Sequence, residues 1–324
     1  MNELALSVIA VISGFTLLLW GADRFVHGAS ATARNLGVSP MIIGLTIVGF
    51  GTSAPEMLVS IVSAMEGNPG LAVGNALGSN ITNIGLVLGL TALITPLVVK
   101  SETLRREYPV MFAIMLLTLA LMVDQDLSRS DGIILLLGLC LMVYWMITLS
   151  LRKSRVDPME YEFAQEIPLI STKMALLWLL AGFLVLLVSS RILVWGSINI
   201  AHALGVSDLV IGLTVVAIGT SLPELAASVM SALKKEPDIA IGNVIGSNMF
   251  NLLAVLGAPA VIAPLPLDSG ILSRDYPFMI GLSIALFIMA YGFRTDGRIN
   301  RLEGGLLLLG YVTYMFVLYY SITG

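Results

Sequence analysis

Two short stretches carry the residues whose types could do chemistry. Gly51-Thr52-Ser53-Ala54-Pro55-Glu56 and Gly219-Thr220-Ser221-Leu222-Pro223-Glu224 each put a carboxylate three residues after a serine, with a proline between them. Carboxylate, hydroxyl and carbonyl oxygens are the donors that hard cations such as Na⁺ and Ca²⁺ prefer. A proline in a helix removes an N–H, so Pro55 and Pro223 are expected to leave the carbonyls of Gly51 and Gly219 unpaired. The competing reading is a capping box, Ser53 to Glu56 and Ser221 to Glu224, at the start of a half-helix. Such a cap does not explain an ionisable Glu where Gln would serve.

The surroundings decide how costly those carboxylates are. Of 324 residues, 57% are hydrophobic and only 12% charged, with a mean hydropathy of +0.94. Soluble domains carry about a quarter charged residues. Charges are missing from whole stretches, among them Leu4–Ala22, Tyr108–Val123, Gly132–Leu151, Ile239–Leu267 and Gly304–Gly324. A hydrocarbon core roughly 30 Å thick is crossed by about 20 apolar residues. The apolar runs predict ten spans, near 3–33, 40–65, 69–96, 106–123, 131–151, 171–203, 208–233, 237–263, 274–293 and 303–321. The first and sixth are long enough to tilt. The apolar N-terminal run has no basic leader, so it is expected to be a retained span. Cys140 is the only cysteine, which excludes an internal disulfide or a cysteine-based metal site.

Glu56 and Glu224 then stand out as the acidic residues deep inside spans. A carboxylate there costs several kcal/mol unless paired, protonated or hydrated, and marks an ion pathway by default. No Lys, Arg or His lies nearby in sequence at matching depth, so a bound cation is the expected counter-charge.

The two stretches belong to a repeat. LGVSPMIIGLTIVGFGTSAPE at 36–56 aligns without gaps with LGVSDLVIGLTVVAIGTSLPE at 204–224, with 14 of 21 positions identical. The same offset of 168 carries GNALGSNITN (74–83) onto GNVIGSNMFN (242–251), and Arg106-Glu107-Tyr108-Pro109 onto Arg274-Asp275-Tyr276-Pro277. The chain divides into a first five-helix unit at 1–151, a linker at 152–170 and a second unit at 171–324. A repeat with an odd number of spans enters the membrane in opposite senses, so the expected fold is all-α, ten transmembrane helices in two inverted repeats with broken helices at the site. Secondary transporters place their substrate between such repeats. Ser79 and Asn83 share one helix face, as do Ser247 and Asn251, and face the glutamates as further ligands. Gly74 with Gly78, and Gly242 with Gly246, are spaced for close helix packing.

Basic residues set the orientation. With the N-terminus outside, fourteen of the seventeen Lys and Arg fall on the cytoplasmic side and only Arg129, Arg191 and Arg274 outside. Both termini are expected to be external and the protein to lie in the plasma (inner) membrane. Three other features carry little. The Asn80-Ile81-Thr82 sequon lies inside a span, His27 and His202 sit at opposite faces, and Asp124, Asp126 and Asp131 read as a solvated turn.

At GTSAPE…GNALGSNITN (motif 44–83) and GTSLPE…GNVIGSNMFN (motif 212–251) the chain resembles the sodium/calcium exchangers of the cation/calcium exchanger superfamily, over essentially its full length. The short central loop is similar to the prokaryotic members. The resemblance implies that Glu56 and Glu224 coordinate Ca²⁺, with the carbonyls of Thr52 and Thr220 completing the shell. It implies sodium sites from Thr52, Ser53, Ser247 and the Gly49 carbonyl, and from Thr220, Ser221, Ser79 and the Ala217 carbonyl. It implies electrogenic exchange of three Na⁺ for one Ca²⁺. Potassium-dependent members carry Asp where this chain has Asn251, so sodium coupling is favoured over potassium or proton coupling. A cation channel would use midplane carboxylates without needing an inverted pair of broken helices. No nucleophile–base pair or HExxH-type metal motif points to an enzyme. No cofactor, nucleic acid or obligatory protein partner is expected.

Overall fold

The computed structural model describes residues 3–38, 40–67, 69–99, 101–152, 170–204, 217–268, 270–291 and 297–323. Most of the expected linker and the start of the second motif, residues 205–216, lie outside the described residues. So does the His202 side chain.

The described chain is almost entirely helical. Helix α1 is Glu3–Leu36; α2 runs over 40–52 and is followed by α3, Ala54–Met65; α4 is Pro69–Ile94. After strand β1 (Leu97–Val99) come α5 (Ser101–Met122), β2 (Asp126–Leu127) and α6 (Arg129–Arg152). The second half contributes α7 (Thr172–Ala203), α8 (Ala217–Thr220), α9 (Leu222–Leu233), α10 (Pro237–Ile262), β3 (Leu265–Pro266), α11 (Ile271–Ala290), β4 (Gly297–Ile299) and α12 (Arg301–Thr323). Among the described residues, seven helices are long and apolar enough to cross a membrane, and eight if the bent pair α2–α3 is one span.

Helices α1 and α7 form one long contact. Gly14 meets Leu193, Gly21 meets Leu186 and Gly28 meets Leu179, so the two run antiparallel. Their outer faces carry exposed Leu, Ile, Phe and Trp side chains, as a lipid-facing surface requires.

The centre is occupied by α4 and α10, the latter buried along its whole apolar length. Both contain a π-helical turn, at Asn83–Leu88 and at Asn251–Val255. These begin 168 residues apart, at equivalent motif positions, and π-turns concentrate at functional sites. Two short antiparallel strand pairs close the ends. Leu97 pairs with Ile299, and Leu127 with Leu265, so each pair joins the first half to the second.

Capping at the surface follows local rules. Ser128 and Asp131 cap α6 reciprocally, with Ser128 N and Oγ 2.9 and 2.6 Å from Asp131 Oδ2. One member of the expected solvated acidic turn is thus a helix cap.

Candidate ion site

The helix break needed to expose polar backbone lies at Ser53, where α2 and α3 meet at 46°. Ser53 leaves the helical region at φ −81°, ψ 1°. Ser221 does the same at φ −90°, ψ 6°, between α8 and α9. Pro55 and Pro223 occupy the first turns of α3 and α9, where a missing N–H costs nothing.

Two expectations are corrected at these breaks. Neither serine makes a capping hydrogen bond from its side chain, so the capping-box reading fails. Ser53 Oγ instead points across to the other half, 3.5 Å from Glu224 Oε1. Nor are the two glycine carbonyls left free. Gly219 O accepts from Ser190 Oγ of α7 at 2.9 Å, and Gly51 O takes a backbone N–H at the Ser53 cap.

Glu56 and Glu224 are each 1% exposed. No cationic side chain pairs with either among the described residues. Of the buried polar side-chain atoms with no hydrogen-bond partner there, five belong to the expected ligand set: Glu56 Oε2, Glu224 Oε2, Ser221 Oγ, Asn83 Oδ1 and Asn251 Oδ1. All five are oxygens. Buried polar atoms are normally satisfied, so unpartnered buried oxygens at the two helix breaks and the two π-turns are candidate cation ligands.

Around them the other expected residues assemble. Thr52 Oγ1 lies 3.0 Å from Val48 O and 3.1 Å from Asn243 Oδ1, either of which can accept its one proton. Ser247 Oγ stands 3.4 Å from Thr52 Oγ1 and donates to Gly49 O at 3.2 Å. Gly49 O also takes Ser53 N–H at 3.1 Å, so this expected sodium ligand is already engaged by protein. This close contact depends on Gly246, where a methyl group would run into the Leu45 carbonyl. Ser79 is buried and Thr220 half-buried. Ala217 opens α8, and its side chain is outside the described residues. The π-turn starting at Asn83 packs against α9, which carries Glu224; the one starting at Asn251 packs against α3, which carries Glu56.

Sequence reasoning missed the residues that hold this frame. Asn75 Nδ2 donates to Glu56 O and Ser60 Oγ, both at 2.9 Å. Asn243 repeats this at Glu224 O and Ser228 Oγ, at 3.2 and 2.9 Å. The 168-residue offset relates all of these pairs, which was the available signal. Glu107 and Asp275 are two further buried acids, near the N-terminal ends of α5 and α11. Asp275 is neutralised by Arg274 at 2.7 Å and accepts from Tyr314 Oη at 3.1 Å.

Comparison with known proteins agrees with this geometry. The profile of the family described as sodium/calcium exchanger protein matches residues 6–148 and 174–320. A putative antiporter, CaxA, of Alkalimonas amylolytica is 49% identical over 97% of this chain and 99% of its own. The sodium/calcium exchanger MaX1 of Methanosarcina acetivorans is 30% identical over 98% and 99%. The inner membrane protein YrbG of Escherichia coli K12 is 40% identical over 97% of each chain. A solved structure of the sodium-calcium exchanger NCX_Mj superposes with a TM-score of 0.80 at 33% identity, covering 95% of this chain and 97% of that one.

Proposed function

The chain belongs to the sodium/calcium exchanger protein family, and from that premise we propose that it exchanges three Na⁺ for one Ca²⁺ by alternating access. Membership makes it a multi-pass cation/calcium antiporter rather than an enzyme. Sodium coupling, electrogenicity and the residue roles are the finer reading. In it the protein is a ten-span molecule of two inverted repeats in the inner membrane, with both termini external. The antiparallel α1–α7 contact and the repeat offset support that topology.

One observation carries the functional reading: the two buried glutamates each keep an unpartnered oxygen, and a hydroxyl from the opposite half, Ser53 Oγ, lies 3.5 Å from Glu224 Oε1. Two carboxylates balance one Ca²⁺. Three Na⁺ leave the loaded site with one surplus positive charge. Thr52, Ser53, Ser79, Thr220, Ser221 and Ser247 supply hydroxyl oxygens, and Asn83 and Asn251 supply amide oxygens. Sodium at the Gly49 carbonyl requires Ser247 to rotate its proton away and offer a lone pair. Neither asparagine titrates, which leaves no proton relay beyond the glutamates themselves.

Calcium uptake into proteoliposomes loaded with Na⁺, K⁺ or acid tests the coupling. Only the sodium-loaded vesicles should take up calcium. Each cycle moves one net positive charge out, so an inside-positive potential should speed uptake. A requirement for potassium, or equal uptake on a proton gradient without sodium, would overturn the assignment.

A further inference from the structure

A side-chain amide has an oxygen end and a nitrogen end of nearly the same shape. A cation accepts only the oxygen, because the nitrogen end presents two N–H donors. If Asn83 and Asn251 serve the site, something must fix which end faces it. We propose that Asn80 and Asn248 are the positioning residues that do so, each from the opposite half of the molecule.

The bonds run crosswise between α4 and α10. Asn251 Nδ2 donates to Asn80 Oδ1 at 3.0 Å, and Asn83 Nδ2 donates to Asn248 Oδ1 at 3.2 Å. With their nitrogen ends held, both asparagines turn their oxygens away from these partners. Those oxygens, Asn83 Oδ1 and Asn251 Oδ1, are buried and unpartnered among the described residues. Asn80 is itself locked: its Nδ2 donates to Asn248 O at 3.2 Å and lies 3.4 Å from Met279 Sδ. A flip of Asn80 would put its Nδ2 against the Asn251 nitrogen and its oxygen against a carbonyl and a sulfur, losing every bond it makes. The dipole direction set at Met279 and the Asn248 backbone is thus passed through Asn80 to Asn251. All four asparagines are almost fully buried, so water cannot substitute for these partners.

The proposal rests on the cation-site reading above, and its test separates the two. Calcium binding is measured on purified full-length protein by calorimetry and by calcium-induced thermal stabilisation. Asn80→Leu and Asn248→Leu each remove the acceptor and should weaken calcium binding about tenfold, the order expected when a buried amide–amide hydrogen bond is lost. Asn248→Asp keeps the acceptor oxygen for Asn83 and should bind at least as tightly as wild type.

Asn251→Asp supplies the decisive background, because a carboxylate shows oxygen whichever way it turns. Adding Asn80→Leu there should change the affinity less than twofold. Asn83→Asp with Asn248→Leu should behave likewise, and provides a second reading if one leucine variant does not fold. An equal tenfold loss in the aspartate and asparagine backgrounds would reduce Asn80 and Asn248 to helix–helix packing and overturn the proposal. Leucine variants that bind calcium like wild type would overturn it too. Absence of calcium binding in wild type and in Asn251→Asp alike would instead remove the cation-site reading itself.

Discussion

Asp275 and Glu224 are both buried acids of the second half, yet their surroundings are opposite. Asp275 sits against the Arg274 guanidinium and the Tyr314 hydroxyl, and both of its oxygens are engaged. Glu224 has one oxygen 3.5 Å from Ser53 Oγ and the other unpartnered. In the first case the protein supplies the counter-charge permanently. In the second it supplies a hydroxyl but no cationic side chain among the described residues, so the missing charge has to arrive from solution and can leave again. A buried acid is therefore structural or functional according to what faces it, and burial by itself does not distinguish the two.

The sharpest way to break this comparison is to neutralise each acid in turn. Glu56→Gln and Glu224→Gln should lower sodium-driven calcium uptake at least a hundredfold while the protein still elutes as a folded species in detergent. Asp275→Asn should leave the calcium KM within about twofold. Its loss should fall instead on stability, about 1–3 kcal/mol, because Arg274 loses its charged partner. Calcium uptake and thermal midpoints measured on all three variants check the contrast. A transport-dead Asp275→Asn, or an active Glu224→Gln, would erase the distinction.

Ser53→Ala gives a smaller effect on the functional side. It removes a side-chain hydroxyl aimed at Glu224 Oε1 and should raise the calcium KM about tenfold with little change in thermal midpoint. The smallest effect is expected on the structural side. Tyr314→Phe deletes one hydrogen bond to Asp275 and should cost about 1 kcal/mol of stability, with uptake kinetics unchanged. The signature that matters is the crossing of effects: KM for Ser53, midpoint for Tyr314.

Much of this frame was legible in the sequence. The proline-flanked glutamates, the 168-residue offset and the apolar runs locate the breaks at Ser53 and Ser221, and the structure places Thr52, Ser53, Glu224 and Ser247 within reach of one another. What the sequence hid is whatever depends on the opposite strand of contacts. Ser53-x-x-Glu56 has the spacing of a cap, but its hydroxyl goes to the other half, a choice local spacing cannot express. The Gly219 carbonyl looked free because its partner, Ser190, lies 29 residues away in a different helix. Asn80 and Asn248 align perfectly in the repeat, yet alignment states that they are equivalent, not that each reaches the other copy's neighbour. The burial of Glu107 and Asp275 is decided by how α5 and α11 pack, which their local sequence does not express.

The crosswise asparagine bonds have one more implication. Asn83 meets Asn248, and Asn251 meets Asn80, so a residue of one half touches a partner whose twin touches its own twin. That is the isologous arrangement of a twofold homodimer, here written into one polypeptide. In a true homodimer a single codon change would strike both copies of a contact at once. Along one chain each copy changes alone, and the pair can become unequal without losing its symmetry-related frame. Ser190 already shows this: it holds the Gly219 carbonyl, while the position 168 residues earlier is Ala22, which has no hydroxyl to offer Gly51. Two halves that started with equivalent motifs are thereby free to specialise.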